Sequence, residues 1–209
     1  RISSIEAGDV SAGLIKHLAS SKKLCRHLHI PIQSGDDHIL KLMNRKYTRE
    51  KYLDLITKLK RNIPQLSITT DCLVGFPGET EENFKQTLEL LKKIQPLKVH
   101  IFPYSARPGT KAADFKGPVD PKIIRTRCAR MNKVAGNFRD DFMRRFIGKK
   151  ADVLIEGKVK DGTNDWEGVT DIYLPVRLAY KPVLKNKIVR VKLKGVLKGS
   201  FNGEYIDNF

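Results

Sequence analysis

The sequence predicts an α/β protein in two parts, a series of strand-then-helix units building a parallel sheet, followed by a small all-β barrel. Three observations carry this. Runs of β-branched and apolar residues recur four times up to Tyr104 at spacings of roughly 25 to 40 residues, each followed by a helical pattern, which calls for parallel strands with right-handed crossovers. The stretch Ile68–Phe84, reading ITTDCLVGFPGETEENF, shows one such junction in full: a buried strand, a break at Gly75-Phe76-Pro77-Gly78, and a helix entry rich in Glu79, Glu81 and Glu82. Beyond Phe146 the pattern changes to period-two alternation punctuated by Asp161-Gly162, Gly168 and Gly199. Four strands would leave a raw edge, so the first part is expected as a barrel cut partway round.

In chain order, Arg1–Glu6 reads as a strand with no lead-in, so the chain is expected to be the later part of a longer protein. A helical pattern over about Asp9–Ser20 places Val10, Leu14, Ile15 and Leu18 on one face. A second strand, Arg26–Ile32, runs into Gln33-Ser34-Gly35, and Asp36 or Asp37 can cap the helix carrying Ile39, Leu40 and Met43. Thr48 offers the next cap, ahead of a helix whose apolar face is Tyr52, Leu55, Ile56 and Leu59 and which ends near Pro64. After the glycine-bounded turn come a helix over about Glu79–Ile94, a fourth strand Val99–Tyr104, and a long helix over about Pro121–Phe146. Ala151–Val159, Glu167–Arg177 and Ile188–Leu197 are the β-rich runs of the tail. The expected domains are 1–145 and 146–209.

With 40 Lys and Arg against 23 Asp and Glu, the chain carries +17, which favours a polyanionic partner, nucleic acid ahead of a membrane surface. Eleven basic and three acidic residues lie between Lys116 and Lys150 alone. No apolar run approaches the roughly 18 residues of a membrane span, and a cytoplasmic location is expected. Cys25, Cys72 and Cys128 form no CxxC or CxxxCxxC spacing, so each is most simply a reduced core thiol and no metal site is read. No Ser-His-Asp set, phosphate-binding loop or paired-carboxylate constellation supports a hydrolase or kinase.

Ligands of parallel α/β folds sit at the carboxyl ends of the strands. There the sequence places Ser3, Ser4 and Glu6; then Gln33 and Ser34; then the Gly75–Glu79 turn; then Tyr104, Ser105 and Arg107. Hydroxyl, amide, carboxylate and guanidinium groups on one rim suit a ligand bearing ribose hydroxyls, an adenine edge, an amine and a carboxylate. His29, and His27 on the same parity, read as hydrogen-bonded core histidines; His17, His38 and His100 give no signal.

RISSIEA, CRHLHIPIQSGDDHILKLMNRKYTREKY, ITTDCLVGFPGETEENF and FPYSARPGTKAADF, in this order, resemble the later barrel strands of the radical S-adenosylmethionine methylthiotransferases. The tail from Phe146-Ile147-Gly148-Lys149 through Gly168–Val176 to Lys187–Val191 is similar to TRAM, the small OB-like RNA-binding β-barrel that closes that family. The SSIEA, CRHLHIP and FPYSxRPGT wording most resembles enzymes that methylthiolate N6-threonylcarbamoyladenosine at position 37 of tRNA. The resemblance implies S-adenosylmethionine and two [4Fe–4S] clusters in the intact enzyme, ligated outside this segment, since the CxxxCxxC motif is absent here; the segment is expected to be inactive alone and to need the amino-terminal part of the same protein.

Carried over by position, the resemblance puts Ser4, Glu6, Gln33, Ser34, Gly75, Phe76, Pro77 and Gly78 around S-adenosylmethionine and makes Arg107 a substrate or cofactor contact. It gives tRNA to the barrel and the basic helix, with Arg139, Arg144, Arg145 and Lys149 on phosphates. Trp166, Tyr173, Tyr180 and Phe201 are either stacking surfaces for bases or barrel core. A methylthiotransferase for N6-isopentenyladenosine or for a ribosomal protein, and a non-catalytic RNA-binding module, remain as alternatives.

Overall fold

The computed structural model describes residues 1–159, 163, 165–179 and 185–206. The expected fold class is the one observed, a partial parallel α/β barrel followed by a closed five-stranded β-barrel. In order the elements are α1 (Ala12–Ser20), β1 (His27–His29), α2 (Asp37–Leu42), α3 (Arg49–Asn62), β2 (Ser67–Val74), α4 (Glu81–Ile94), β3 (Lys98–Pro103) and α5 (Pro121–Arg144). Then come β4 (Lys150–Lys158), β5 (Trp166–Thr170), β6 (Pro175–Leu178), β7 (Ile188–Leu197) and β8 (Ser200–Tyr205).

Strands β1, β2 and β3 are parallel neighbours in that order, with Thr69 in register with both His29 and Lys98. The helices start where side-chain acceptors meet the free amides of their first turns: Ser11 accepts from Leu14 N–H, Asp36 from Ile39, Thr48 from Lys51 and Thr80 from Asn83. Their apolar faces close over the outer side of the sheet, with Tyr52, Ile56, Leu59, Phe84, Leu90 and Leu91 packed on Leu28, Ile30, Ile68, Cys72 and Val74. Tyr52 is fully buried and its hydroxyl donates to the Ile30 carbonyl at 2.7 Å, so its polar tip is satisfied inside the core.

Two expected strands are shorter than their sequence patterns. Arg1–Glu6 makes only an isolated bridge between Ser4 and His29 before a 3₁₀ turn at Ala7–Asp9. The Arg26–Ile32 run is a regular strand only over His27–His29, because Pro31 has no amide to give and Gln33 turns into the left-handed region at φ 62°. Ile30 and Ile32 still donate to the carbonyls of Thr69 and Asp71, so the chain follows β2 beyond the formal strand.

The turn after β2 shows why glycine stands at its first position. Gly75 has φ +82°, and a Cβ there would sit 2.4 Å from the Ile124 side chain of α5. Its amide donates to the Glu79 carboxylate at 3.2 Å. Glu79 in turn holds Arg127 of α5 at 2.7 Å, and both side chains are almost wholly buried. Burial pushes the Glu79 carboxyl above its usual range, and the Arg127 charge pulls it partway back.

In the small barrel the order is β4-β5-β6-β8-β7, closed by the antiparallel pairing of β4 with β7. Val153, Ile155, Trp166, Val176, Leu178, Val191, Leu193 and Phe201 fill it, and α5 adds Phe142 and Met143. The Glu167–Arg177 run divides into β5 and β6 at a turn where Tyr173 has φ 66°. Strand β8, which period-two counting passed over, follows Lys198 and Gly199, both at positive φ. Asp161, Gly162 and Tyr180 lie outside the described residues.

The barrel meets the sheet at the amino ends of β1 and β2. Ser67 Oγ donates to the Ile172 carbonyl at 2.6 Å, Arg26 pairs with Asp171 at 2.8 Å, and the His27 ring stacks on Tyr173 with centroids 4.6 Å apart.

Candidate functional site

The carboxyl ends of β2 and β3 open into a cavity of about 570 Å³ lined by Gln33, Arg45, Asp71, Leu73, Phe102, Tyr104, Ser105, Arg107 and Thr110. β2 puts Asp71 and Leu73 on its inner face by period two, and the left-handed bend at Gln33 keeps its backbone on β2 through Asp71 and Leu73. Arg45 and Glu6 form an ion pair at 2.5 Å, and this pair joins the main cavity to a smaller hollow of about 290 Å³ at Gly8, Asn44 and Tyr47.

Of the residues expected at this rim, Gln33, Tyr104, Ser105 and Arg107 line the cavity, and Glu6 reaches it through Arg45. Ser4 stands one bridge away, opposite His29. Ser34 is buried elsewhere: its hydroxyl accepts from Asp36 N–H at 3.2 Å and faces Thr87 at 3.4 Å, tying the loop after β1 to α4. The Gly75–Gly78 turn does not present its amides to the cavity. Gly75 N–H is taken by Glu79 and Gly78 N–H by the Gly117 carbonyl at 2.8 Å, while Phe76 packs edge-on against Tyr104 and Phe115. The turn, with Pro77 buried in it, therefore supports Tyr104, a wall of the cavity, from behind.

Asp71, Arg45 and His100 are the residues at or beside the cavity that sequence reading did not single out. Asp71 lies in register with His100, and His29 Nε2 is 3.2 Å from the Asp71 carboxylate. The signal was Asp71 itself, the one charged residue on a largely buried strand, alternating with Thr69 and Leu73. His27 and His29 are hydrogen-bonded as expected, both to the Thr69 hydroxyl, at 3.0 and 2.9 Å. Burial first, and then the Arg1 charge, lower the His27 pKa to about 4, so this ring is neutral. His29 is only half-buried, which corrects its reading as a core residue.

At the basic connector, Arg139 lies against Gly199 of the barrel, Arg144 pairs with Asp141 at 2.8 Å, Arg145 sits over Phe142 and Lys149 over Phe146. Trp166 is 7% exposed and Phe201 is fully buried, so both belong to the barrel core rather than to an open stacking surface; Tyr173 is spent against His27 and Arg1. Among the described residues no helix is long and apolar enough to cross a membrane. Of the cysteines only Cys72 is a buried core thiol; Cys25 and Cys128 are partly exposed.

Residues 4–91 match the family model described as Radical SAM superfamily, and the chain belongs to that superfamily. It is 38% identical over 198 residues to a tRNA-2-methylthio-N(6)-dimethylallyladenosine synthase of Acetivibrio thermocellus, covering 95% of this chain and 41% of that one. A threonylcarbamoyladenosine tRNA methylthiotransferase, MtaB, of Bacillus subtilis is also 38% identical, covering 92% of this chain and 43% of the relative. Within the superfamily the chain is thus of the methylthiotransferase family, and it spans about two fifths of the length of these relatives. The fold is also that of Escherichia coli coproporphyrinogen III oxidase, a radical SAM enzyme, with a TM-score of 0.54 at 13% identity over 98% of this chain and 51% of that one.

The superfamily works with S-adenosylmethionine and iron–sulfur clusters. The donor set of the cavity suits the first: Arg45 matches a carboxylate, Glu6 an ammonium group, and Gln33 a ribose hydroxyl. It does not suit the second. Among the described residues no cysteine belongs to a group of three metal-ligating side chains, and burial pushes the Cys72 thiol far above its ordinary range, against the thiolate a cluster needs.

Proposed function

We propose that this chain is the carboxyl-terminal part of a tRNA methylthiotransferase acting at C2 of N6-threonylcarbamoyladenosine at position 37. In this reading residues 1–145 supply one wall of the S-adenosylmethionine pocket, residues 146–209 and the basic end of α5 hold tRNA, and the clusters are ligated in the rest of the protein. Bound S-adenosylmethionine supplies the radical chemistry. Gln33 orients it, Arg107 orients the target base, and Phe76 holds Tyr104 in place behind them.

The observation that carries the choice of base is the guanidinium of Arg107 on the cavity wall. A threonylcarbamoyl group brings a carboxylate that Arg107 can pair, whereas a dimethylallyl group is hydrocarbon and would strand that charge. The dimethylallyl reading is the second one, favoured by relatives of that name at the same identity. Deleting the full-length gene and profiling tRNA nucleosides by mass spectrometry decides between them. Loss of the methylthio derivative of threonylcarbamoyladenosine is expected, restored by the full gene and not by an Arg107→Ala version. Loss of only the dimethylallyl derivative would replace the proposal with the second reading.

The tRNA-holding role has its own test. Charge reversal at Arg139, Arg144, Arg145 and Lys149 in the full-length protein should weaken tRNA binding and flatten the log–log salt dependence by roughly 0.7–0.9 for each phosphate contact removed. An unchanged slope in filter binding would place tRNA on another surface.

A further inference from the structure

The inner face of the sheet carries a ligand set that the S-adenosylmethionine pocket does not use. His29, Asp71 and His100 come from three successive parallel strands, and one donor atom from each lies within 4.8 Å of the other two. Two imidazoles and one carboxylate on one face, with the remaining positions open, is the donor pattern that suits divalent iron, zinc and their first-row neighbours rather than magnesium or calcium. The placement is rigid, because Asp71 and His100 are register partners and His29 pairs with Thr69 two residues along β2. His29 Nε2 and Asp71 Oδ2 stand 3.2 Å apart, the separation of two donors that share a small ion.

The surroundings support the same reading. Thr69 Oγ1 lies 2.9 Å from His29 Nδ1, which fixes the ring plane and takes the nitrogen that a ligating histidine turns away from its metal. No described residue hydrogen-bonds to the His100 ring, which meets the His29 ring edge-on at 5.8 Å. Asp71 also lines the cavity, so open positions on an ion here would face a bound ligand.

We propose that His29, Asp71 and His100 form a binding site for a divalent transition-metal ion of the zinc or ferrous class, at the inner end of the cavity and separate from any cluster. Thr69 acts as a positioning residue for His29.

The test uses the full-length protein, equilibrated with buffered zinc in excess magnesium, freed of unbound metal and analysed for zinc and iron together. The wild type is expected to retain about one more zinc per chain than His100→Ala, with equal iron in both. His29→Gln should lose the same zinc, and Thr69→Val, which keeps all three donors, should weaken retention by about 10–100-fold. Equal zinc in the wild type, His100→Ala and His29→Gln, with circular dichroism showing at least one variant folded, would overturn the site and leave a plain His29–Asp71 hydrogen bond. The measurement needs no tRNA, so its failure is distinguishable from failure of the proposed methylthiotransferase activity.

Discussion

Trp166→Ala is expected to unfold the small barrel rather than to weaken base stacking on a folded one. The indole is 7% exposed and packs in one cluster with Val153, Ile155, Leu178, Val191 and Phe201. Trp166 is in register with Leu178 of β6 on one side and Lys158 of β4 on the other, so both ladders keep its side chain on the inner face of the barrel. Truncating a buried Trp costs about 3–5 kcal/mol through lost burial and the cavity left behind, comparable to the whole stability of a small domain. Circular dichroism should show lost β signal at temperatures where the wild type is folded, and tRNA binding should fall with it. A folded Trp166→Ala barrel with an unchanged denaturation midpoint would show that the ring is not part of the core.

What was legible in the sequence was whatever depends on period and punctuation. Thr48 and Asp36 announced their helices because an acceptor before an apolar-periodic run has few other uses, and Gly75 and Gly78 marked the turn because both take positive φ. Strand lengths were less legible. Arg1–Glu6 has strand composition but finds one backbone partner at His29, and the run at Arg26–Ile32 is cut by Pro31, whose effect depends on which neighbour needs its amide.

The candidate site was legible in outline only. Gln33 and Arg107 reach the cavity, whereas Ser34 and the amides of Gly75 and Gly78 are consumed by local partners, Thr87, Glu79 and Gly117, that no spacing rule links to them. Asp71 and His100 come together through a register between β2 and β3 set by packing across a helix, so neither residue signals the other in the sequence. Trp166 shows the same ambiguity: an aromatic in a basic tail has one composition whether it faces RNA or core, and burial alone separates the two.

Arg127→Met should destabilise the first part of the chain by about 3–5 kcal/mol at neutral pH, because it leaves a buried carboxylate without its partner. Arg127 is 4% exposed and gives its guanidinium to the Glu79 carboxylate at 2.7 Å and to the Glu79 carbonyl at 3.1 Å, with Glu81 at 3.3 Å. The pair clamps α5 onto the turn after β2, so the loss should extend to the Phe76–Tyr104 wall of the cavity. The pH dependence carries the signature. Glu79 is already raised in the folded protein, mainly by burial, so its contribution is fully present below about 4.5 and is lost as pH rises through the raised folded value. Removing Arg127 takes away the main opposing attraction, raises that value further and enlarges the loss toward neutrality. Urea denaturation should therefore find Arg127→Met closest to the wild type in mild acid and furthest at neutral pH, and pairing it with Glu79→Gln should recover much of the difference. A deficit constant across that range, unaltered by Glu79→Gln, would mean that Arg127 acts through packing on Phe84 and not through the buried charge.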